Sequence, residues 1–228
     1  MKAMILAAGR GERMRPLTDH CPKPLLRANE KPLIEYHLEQ LAALGVTDVV
    51  INIAWLADEF PRQLGDGDRW GLSIHYSPEQ EALETAGGIA KALPLLGDEP
   101  FLLVNGDVYC EQEFASLQLR DDELACLLLT ANPEHHPEGD FAIDADQKLS
   151  MKQPGEQSFT FAGISLMHPA LFDGVPVAKQ RLLPVLQAAM AKQQVAGLVT
   201  DGYWCDVGTP QRLASLEAHL AESRSRFG

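Results

Sequence analysis

Met4, Ile5, Leu6, Ala7 and Ala8 form an apolar run with no helical period, and the run stops at Gly9-Arg10-Gly11. A strand without polar alternation suits a parallel sheet that helices cover on both faces, so this segment calls for an α/β architecture. The stop is as informative as the strand. Gly9 and Gly11 lack Cβ and let the backbone turn sharply, which brings its N–H groups against phosphate oxygens. Arg13, Arg15 and Lys23 then offer charge-assisted hydrogen bonds to the same anion. The rival reading is an ordinary strand-to-helix turn with solvated arginines. Pro22-Lys23-Pro24-Leu25, following at a fixed distance, weighs against it. No Gly-Lys-Ser/Thr is present for a P-loop, and Arg13 or Met14, depending on the frame, stands where a dinucleotide fingerprint needs its third glycine.

Strands and helices alternate behind this loop. Residues 32–45 read as an amphipathic helix opened by Pro32 and closed by Gly45, 49–53 as a strand, 57–64 as a weaker helix and 72–76 as a third strand. A glycine-opened helix is expected over 85–93, with strands over 101–104 and 124–130. Such an order implies a mostly parallel, Rossmann-like sheet with its ligand at the carboxyl ends of the strands. Beyond about residue 132 the texture changes to short strands and turns at 141–144, 148–152 and 158–167, read as a small antiparallel lobe. Helices are expected again at 178–192 and 210–223, around a strand at 195–200. The expectation is one domain over 1–228, with a nucleotide-binding half at 1–131 and the small lobe and C-terminal helices over 132–228.

Charge localises the site. The chain carries a net charge of −13, which argues against a nucleic-acid-binding surface, yet residues 1–31 hold seven Lys or Arg against three acids. Cations gathered at one end of an acidic chain mark a site for a small anion. Cys21, Cys110, Cys126 and Cys205 are scattered without zinc or disulfide spacing, so free thiols in a reducing cytosol are expected. No apolar stretch approaches the roughly 18 residues of a membrane span, and the start of the sequence reads as no signal peptide. A soluble cytoplasmic protein, monomeric or a small homo-oligomer, is the expectation.

Two acids stand out. Phe101-Leu102-Leu103-Val104-Asn105-Gly106-Asp107 is a buried strand ending in a carboxylate, and Tyr203-Trp204-Cys205-Asp206-Val207-Gly208-Thr209-Pro210 brings a second one just before a helix. Two distant carboxylates meeting one triphosphate suggest Mg²⁺, which favours carboxylate, phosphate and water oxygens. Singly, Asp107 reads equally as a turn residue and Asp206 as a helix cap. The seven histidines show no ligand or triad spacing and read as surface or packing residues.

The segment Gly9-Arg10-Gly11-Glu12-Arg13-Met14-Arg15-Pro16-Leu17-Thr18, with Pro22-Lys23-Pro24 after it, resembles the signature of the sugar-1-phosphate nucleotidyltransferases. The similarity extends along nearly the whole chain and is strongest to the uridylyltransferases of cell-wall sugar recycling. It implies a GT-A-like fold, a nucleotide cradle of Ala8, Gly9, Gly11, Glu12, Arg13 and Lys23, and metal ligation by Asp107 and Asp206. Glu12 stands where many members carry Thr, so its side chain is expected to face solvent and only its backbone to serve the nucleotide. Gly88 within Glu84-Thr85-Ala86-Gly87-Gly88 either admits the base or packs helix on sheet. Glu79 either reads a base edge or is an exposed loop carboxylate.

The same resemblance assigns Asn105, Asp140, Lys152 and Gly163 to the sugar phosphate. Asp140 reads equally as a turn residue, Lys152 lies in a degraded Glu-Lys-Pro segment, and Phe161 replaces the usual Asn before Ala162-Gly163. The implied reaction moves a nucleotidyl group, UMP from UTP foremost, onto a sugar 1-phosphate, with Arg13, Lys23 and Asp107 as catalytic residues. GTP-dependent transfer to mannose or heptose 1-phosphate is the alternative within the class. A metal-dependent glycosyltransferase and a non-catalytic nucleotide sensor are the alternatives outside it.

Overall fold

The computed structural model describes residues 1–227. In chain order the strands are β1 (Lys2–Leu6), β2 (Arg27–Ala28), β3 (Lys31–Pro32), β4 (Asp48–Ile53), β5 (Ser73–Pro78), β6 (Phe101–Asn105), β7 (Val108–Cys110), β8 (Ala125–Thr130), β9 (Phe141–Ile143), β10 (Leu149–Met151), β11 (Thr160–Met167), β12 (Val195–Val199) and β13 (Trp204–Asp206). The helices are α1 (Leu33–Ala43), α2 (Glu59–Leu64), α3 (Glu84–Leu96), α4 (Leu182–Met190) and α5 (Pro210–Phe227).

Seven strands form one sheet in the order β12-β8-β11-β6-β1-β4-β5. β1 pairs in parallel with both β4 and β6, β4 with β5, and β8 with β12. β1 is buried on both faces, as its apolar run requires. Ala3, Ile5 and Ala7 belong to the core packed under α1 and α2, whereas Met4 belongs to the core under α3 and α4. Val49, Ile51 and Ile53 against Val50, and Leu102 and Val104 against Phe101 and Leu103, divide between the same two cores. That split is the two-residue period of a strand read by two helical layers.

The segment at 158–167 is corrected. Instead of joining a separate antiparallel lobe, β11 lies inside the main sheet, antiparallel to both β6 and β8. Its run Ala162-Gly163-Ile164-Ser165-Leu166-Met167 is buried throughout, which only a central strand needs. Among the described residues the lobe keeps the β9–β10 ribbon. The helix expected at 178–192 starts only at Leu182. Gln180 spends its amide on Leu83 O (2.9 Å) and its carbonyl on the amides of Ala86 and Gly87 (3.0 and 3.2 Å), so this stretch is tied to α3 rather than to its own next turn. No described helix is long and apolar enough to cross a membrane.

The order of strands decides where the site lies. After β1 the chain builds outward through β4 and β5, then returns by α3 to place β6 on the other flank of β1. The connections therefore diverge between β1 and β6, and a crevice opens at their carboxyl ends.

Candidate active site

Asn52, Leu6 and Asn105 are partners in one row across β4, β1 and β6, at the last residue of β1. Above this row lies a cleft of about 550 Å³ whose lining includes Ala8, Gly9, Gly11, Glu12, Arg13, Lys23, Glu79, Asn105 and Asp107. Gly11 takes φ +67°, and a Cβ there would meet Thr18 and Lys23 at 3.0 and 3.1 Å, so glycine is required by both conformation and space. Gly106 donates its amide to Leu6 O at 2.9 Å, closing the end of β6 onto β1.

Lys23 is nearly buried, and its Nζ lies 2.5 Å from Asp107 Oδ2. Asp107 sits in the turn between β6 and β7, but its side chain is turned to this lysine rather than to the turn. Arg13 lines the cleft and, among the described residues, makes no hydrogen bond or ion pair. Arg15 does not join it: its Nε donates to Asp19 Oδ1 at 2.8 Å. Arg10 pairs with the same carboxylate at 2.9 Å and lies 3.8 Å over the Trp55 ring, and together these cations hold Asp19 below its usual carboxylate range. Two of the four loop arginines and lysines thus brace the loop instead of facing the anion. Glu12 is exposed and lies among the residues lining the cleft.

Asp206 is not among the residues lining the cleft, but it is brought next to Asp107 through pairing that its distance in sequence conceals. β13 runs antiparallel to β7 with Asp206 opposite Val108, and Val207 donates its amide to Asp107 O at 2.8 Å. The two acids therefore come from adjoining positions of neighbouring strands. Asp206 is not the cap of α5, since Thr209 Oγ1 accepts the Arg212 amide at 3.3 Å. Arg212 Nη2 stands 3.1 Å from Asp206 Oδ2, and His135 Nε2 3.0 Å from Oδ1. Oδ1 is buried yet, among the described residues, lacks a partner in hydrogen-bond geometry. A carboxylate oxygen left without a proper donor, beside a second carboxylate at a phosphate cradle, fits a hard divalent cation. The neighbouring Cys205 thiol is pushed up to about 11, by burial first and by Asp206 second, and so stays neutral.

Glu79 is buried rather than an exposed loop carboxylate. Asn52 Nδ2 donates to its Oε1 and the Leu83 amide to its Oε2, both at 2.8 Å, while Asn52 Oδ1 accepts the Ala7 amide at 2.9 Å. Gly88 serves this network. A Cβ there would stand 2.8 Å from Glu79 Oε1 and 3.0 Å from Asn52 Nδ2, and Gly88 itself is absent from the cleft lining.

Of the sugar-side residues, Asn105 lines the cleft and Gly163 abuts it: at φ +76° a Cβ on Gly163 would meet Asn105 Nδ2 at 2.7 Å. Gly163 marks the register shift that bends β11 there. Asp140 has both oxygens engaged within the protein, by the Phe161 amide at 2.8 Å and by His136 Nε2 at 3.0 Å. Lys152 spends its ammonium on the carbonyls of Glu138 and Gly139, and it does not line the cleft.

Asn52, His135, Arg212 and Lys179 escaped sequence reasoning. Only Asn52 had a local signal, as a lone polar residue inside the apolar run Val49–Ile53. His135 and His136 each stand against a candidate site acid rather than serving only surface or packing, although His37 is a packing residue, wholly buried.

The nucleotidyl transferase family model matches residues 2–143, which carry the cradle, Lys23 and Asp107. The chain is 48% identical to an N-acetylmuramate alpha-1-phosphate uridylyltransferase of Neisseria meningitidis serogroup B, over 96% of this chain and 97% of that one. A protein of the same description from Caulobacter vibrioides is 36% identical over 97% of both. A mannose-1-phosphate guanyltransferase of Aspergillus oryzae is 31% identical over 94% of this chain but 63% of its own length. The fold matches a Bacillus anthracis crystal structure, assigned as a glucose-1-phosphate thymidylyltransferase and solved with sucrose, with a TM-score of 0.82 over 96% of this chain and 94% of that one at 21% identity. A strand-order crevice with a glycine cradle at its mouth, and sequence similarity running through both, establish that the chain belongs to the nucleotidyl transferase family.

Proposed function

We propose that the protein transfers UMP from UTP to N-acetylmuramic acid 1-phosphate, giving UDP-N-acetylmuramic acid and pyrophosphate, in cytoplasmic recycling of cell-wall sugar. The observation that carries this reading is end-to-end similarity to two proteins named for that reaction, against lower identity and partial overlap with the guanyltransferase.

In this reading the backbone amides of Ala8, Gly9, Gly11 and Glu12 receive the triphosphate, with Arg13 along its β- and γ-phosphates. Lys23, paired with Asp107 at 2.5 Å, exchanges that carboxylate for the α-phosphate when the nucleotide arrives. Asp107 and Asp206 hold Mg²⁺, which when bound supplies charge neutralisation on the phosphate oxygens. Asn105 and Gly163 form the floor for the sugar. Asp140 and Lys152 shape the wall by bracing the loop at 136–140 and β11. Glu79 and Gly88 set the base end through Asn52 and Leu83.

An acceptor phosphate oxygen attacks the α-phosphorus as the bond to the bridging oxygen of pyrophosphate breaks in line. That nucleophile is already anionic near neutral pH, so no side chain need take a proton. Alignment and charge neutralisation then carry the rate. The test is a matrix of UTP and GTP against a panel of sugar 1-phosphates, read by pyrophosphate release. Highest kcat/KM for UTP with N-acetylmuramic acid 1-phosphate is expected. A preference for GTP with mannose 1-phosphate overturns the substrate assignment.

A further inference from the structure

Two of the three cations that line the cleft, Arg13 and Lys179, make no hydrogen bond or ion pair among the described residues, and Arg13 belongs to the phosphate cradle. Lys23 pairs with Asp107 and Arg212 with Asp206, while Lys152 caps backbone carbonyls and Lys148 lies 2.9 Å from Glu123. Lys179 is different. It lines the cleft, as do Glu81, Glu84 and Thr85, and among the described residues it makes no hydrogen bond or ion pair. Its side chain is exposed, but its backbone is anchored. The next residue, Gln180, is held by three hydrogen bonds to Leu83, Ala86 and Gly87. On its other side, the Ala178 carbonyl presses on Gly87 so closely that a Cβ there would stand 1.9 Å away. An exposed, unpaired ammonium on a fixed backbone at the cleft lining suits a flexible anionic substituent better than a reacting group that needs one geometry.

We propose that Lys179 receives the lactyl carboxylate of the acceptor sugar and so selects N-acetylmuramic acid 1-phosphate over N-acetylglucosamine 1-phosphate. This rests on the substrate reading above. That acceptor carries two anionic groups. Its phosphate must lie at the α-phosphorus, by Lys23 and Asp107 on the floor of the crevice, and Arg13 is committed to the leaving pyrophosphate. The carboxylate on the third sugar position projects away from the reacting end. Neither remaining lysine of the span 132–167 is free to meet it, since Lys148 and Lys152 are both engaged inside the protein. The strap that carries Lys179 stands between the start of α3, where the nucleoside end lies, and α4, which packs on the β10 ribbon of the lobe.

The experiment compares the wild type with Lys179→Ala and Lys179→Arg, measuring kcat/KM for both sugar 1-phosphates with UTP, and acceptor binding by calorimetry in the presence of a non-hydrolysable UTP analogue. Lys179→Ala is expected to narrow the preference for the lactyl sugar by about fivefold or more, through KM and Kd, with the efficiency on N-acetylglucosamine 1-phosphate little changed. Lys179→Arg is expected to retain most of the preference. An equal loss on both sugars would assign Lys179 to the shared phosphate and overturn the proposal, as would an unchanged ratio with no loss at all. A wild type without any preference for the lactyl sugar defeats the substrate reading itself, and that result is visible before any variant is made.

Discussion

The buried bridge from the cradle to the base end offers the sharpest test of how this site is held. Asn52 and Glu79 are 3% and 6% exposed, and Asn52 gives one side to the Ala7 amide and the other to Glu79. Asn52→Asp keeps size and shape, and its Oδ1 still accepts from Ala7. The donor at 2.8 Å from Glu79 becomes an oxygen, however, so a charge-assisted hydrogen bond is lost and two carboxylates are forced together. A hydrogen bond to a charged group contributes about 1.5–3 kcal/mol, and a buried acceptor left unsatisfied costs about 1–3 kcal/mol more, so a loss of roughly 3 kcal/mol or above is expected. Glu79→Gln added to Asn52→Asp restores every bond with the polarity exchanged: the new amide nitrogen donates to position 52, and its oxygen still accepts from the Leu83 amide. The double variant is expected to recover most of the loss, giving a coupling energy of about 2 kcal/mol. Urea unfolding of the four proteins, followed by far-UV circular dichroism, measures it, and the KM for UTP follows the same order. A coupling below about 0.5 kcal/mol would refute the bridge.

Three further outcomes are expected. His37, 1% exposed and with neither ring nitrogen in good hydrogen-bond geometry among the described residues, has its pKa lowered to about 4, chiefly by burial, from 6.5; the unfolded chain binds the extra proton first, so stability should fall by up to roughly 3 kcal/mol as pH drops from 6.5 toward 4, and a neutral His37→Leu variant should flatten that slope in urea titrations at several pH values. In Gly208→Ala the new Cβ would stand 1.8 Å from Arg212 Nη2; because that atom ends a flexible side chain, the guanidinium should move off Asp206, lowering turnover several-fold with a Tm within a few degrees of wild type, whereas full activity would detach Arg212 from the site. Asp107→Asn and Asp206→Asn should each cost at least about a hundredfold in turnover at limiting Mg²⁺ with folding intact, and near-wild-type turnover in either removes that acid from the metal.

Local chemistry wrote much of this protein into its sequence. A doubly buried strand, a turn that only glycine can make and cations at fixed intervals are properties of neighbours in the chain, so the α/β layering, the glycine turn at Gly11 and a buried strand leading from Phe101 toward Asp107 were legible without a structure. The family resemblance added the pairing of Asp107 with Asp206, nearly a hundred residues apart. Tertiary structure alone decided the rest. Whether Thr160–Met167 enters the main sheet depends on which edges β6 and β8 leave open, and no period within the segment encodes that. Whether an arginine faces the cleft or braces the loop depends on Asp19, and whether Lys152 is free depends on carbonyls at 138 and 139. The engagement of Asp140 by His136 and Phe161, and the place of Lys179 in the cleft lining, are likewise outcomes of packing. Charge and hydrogen-bonding capacity belong to a residue, but the partner that uses them up is supplied by the fold.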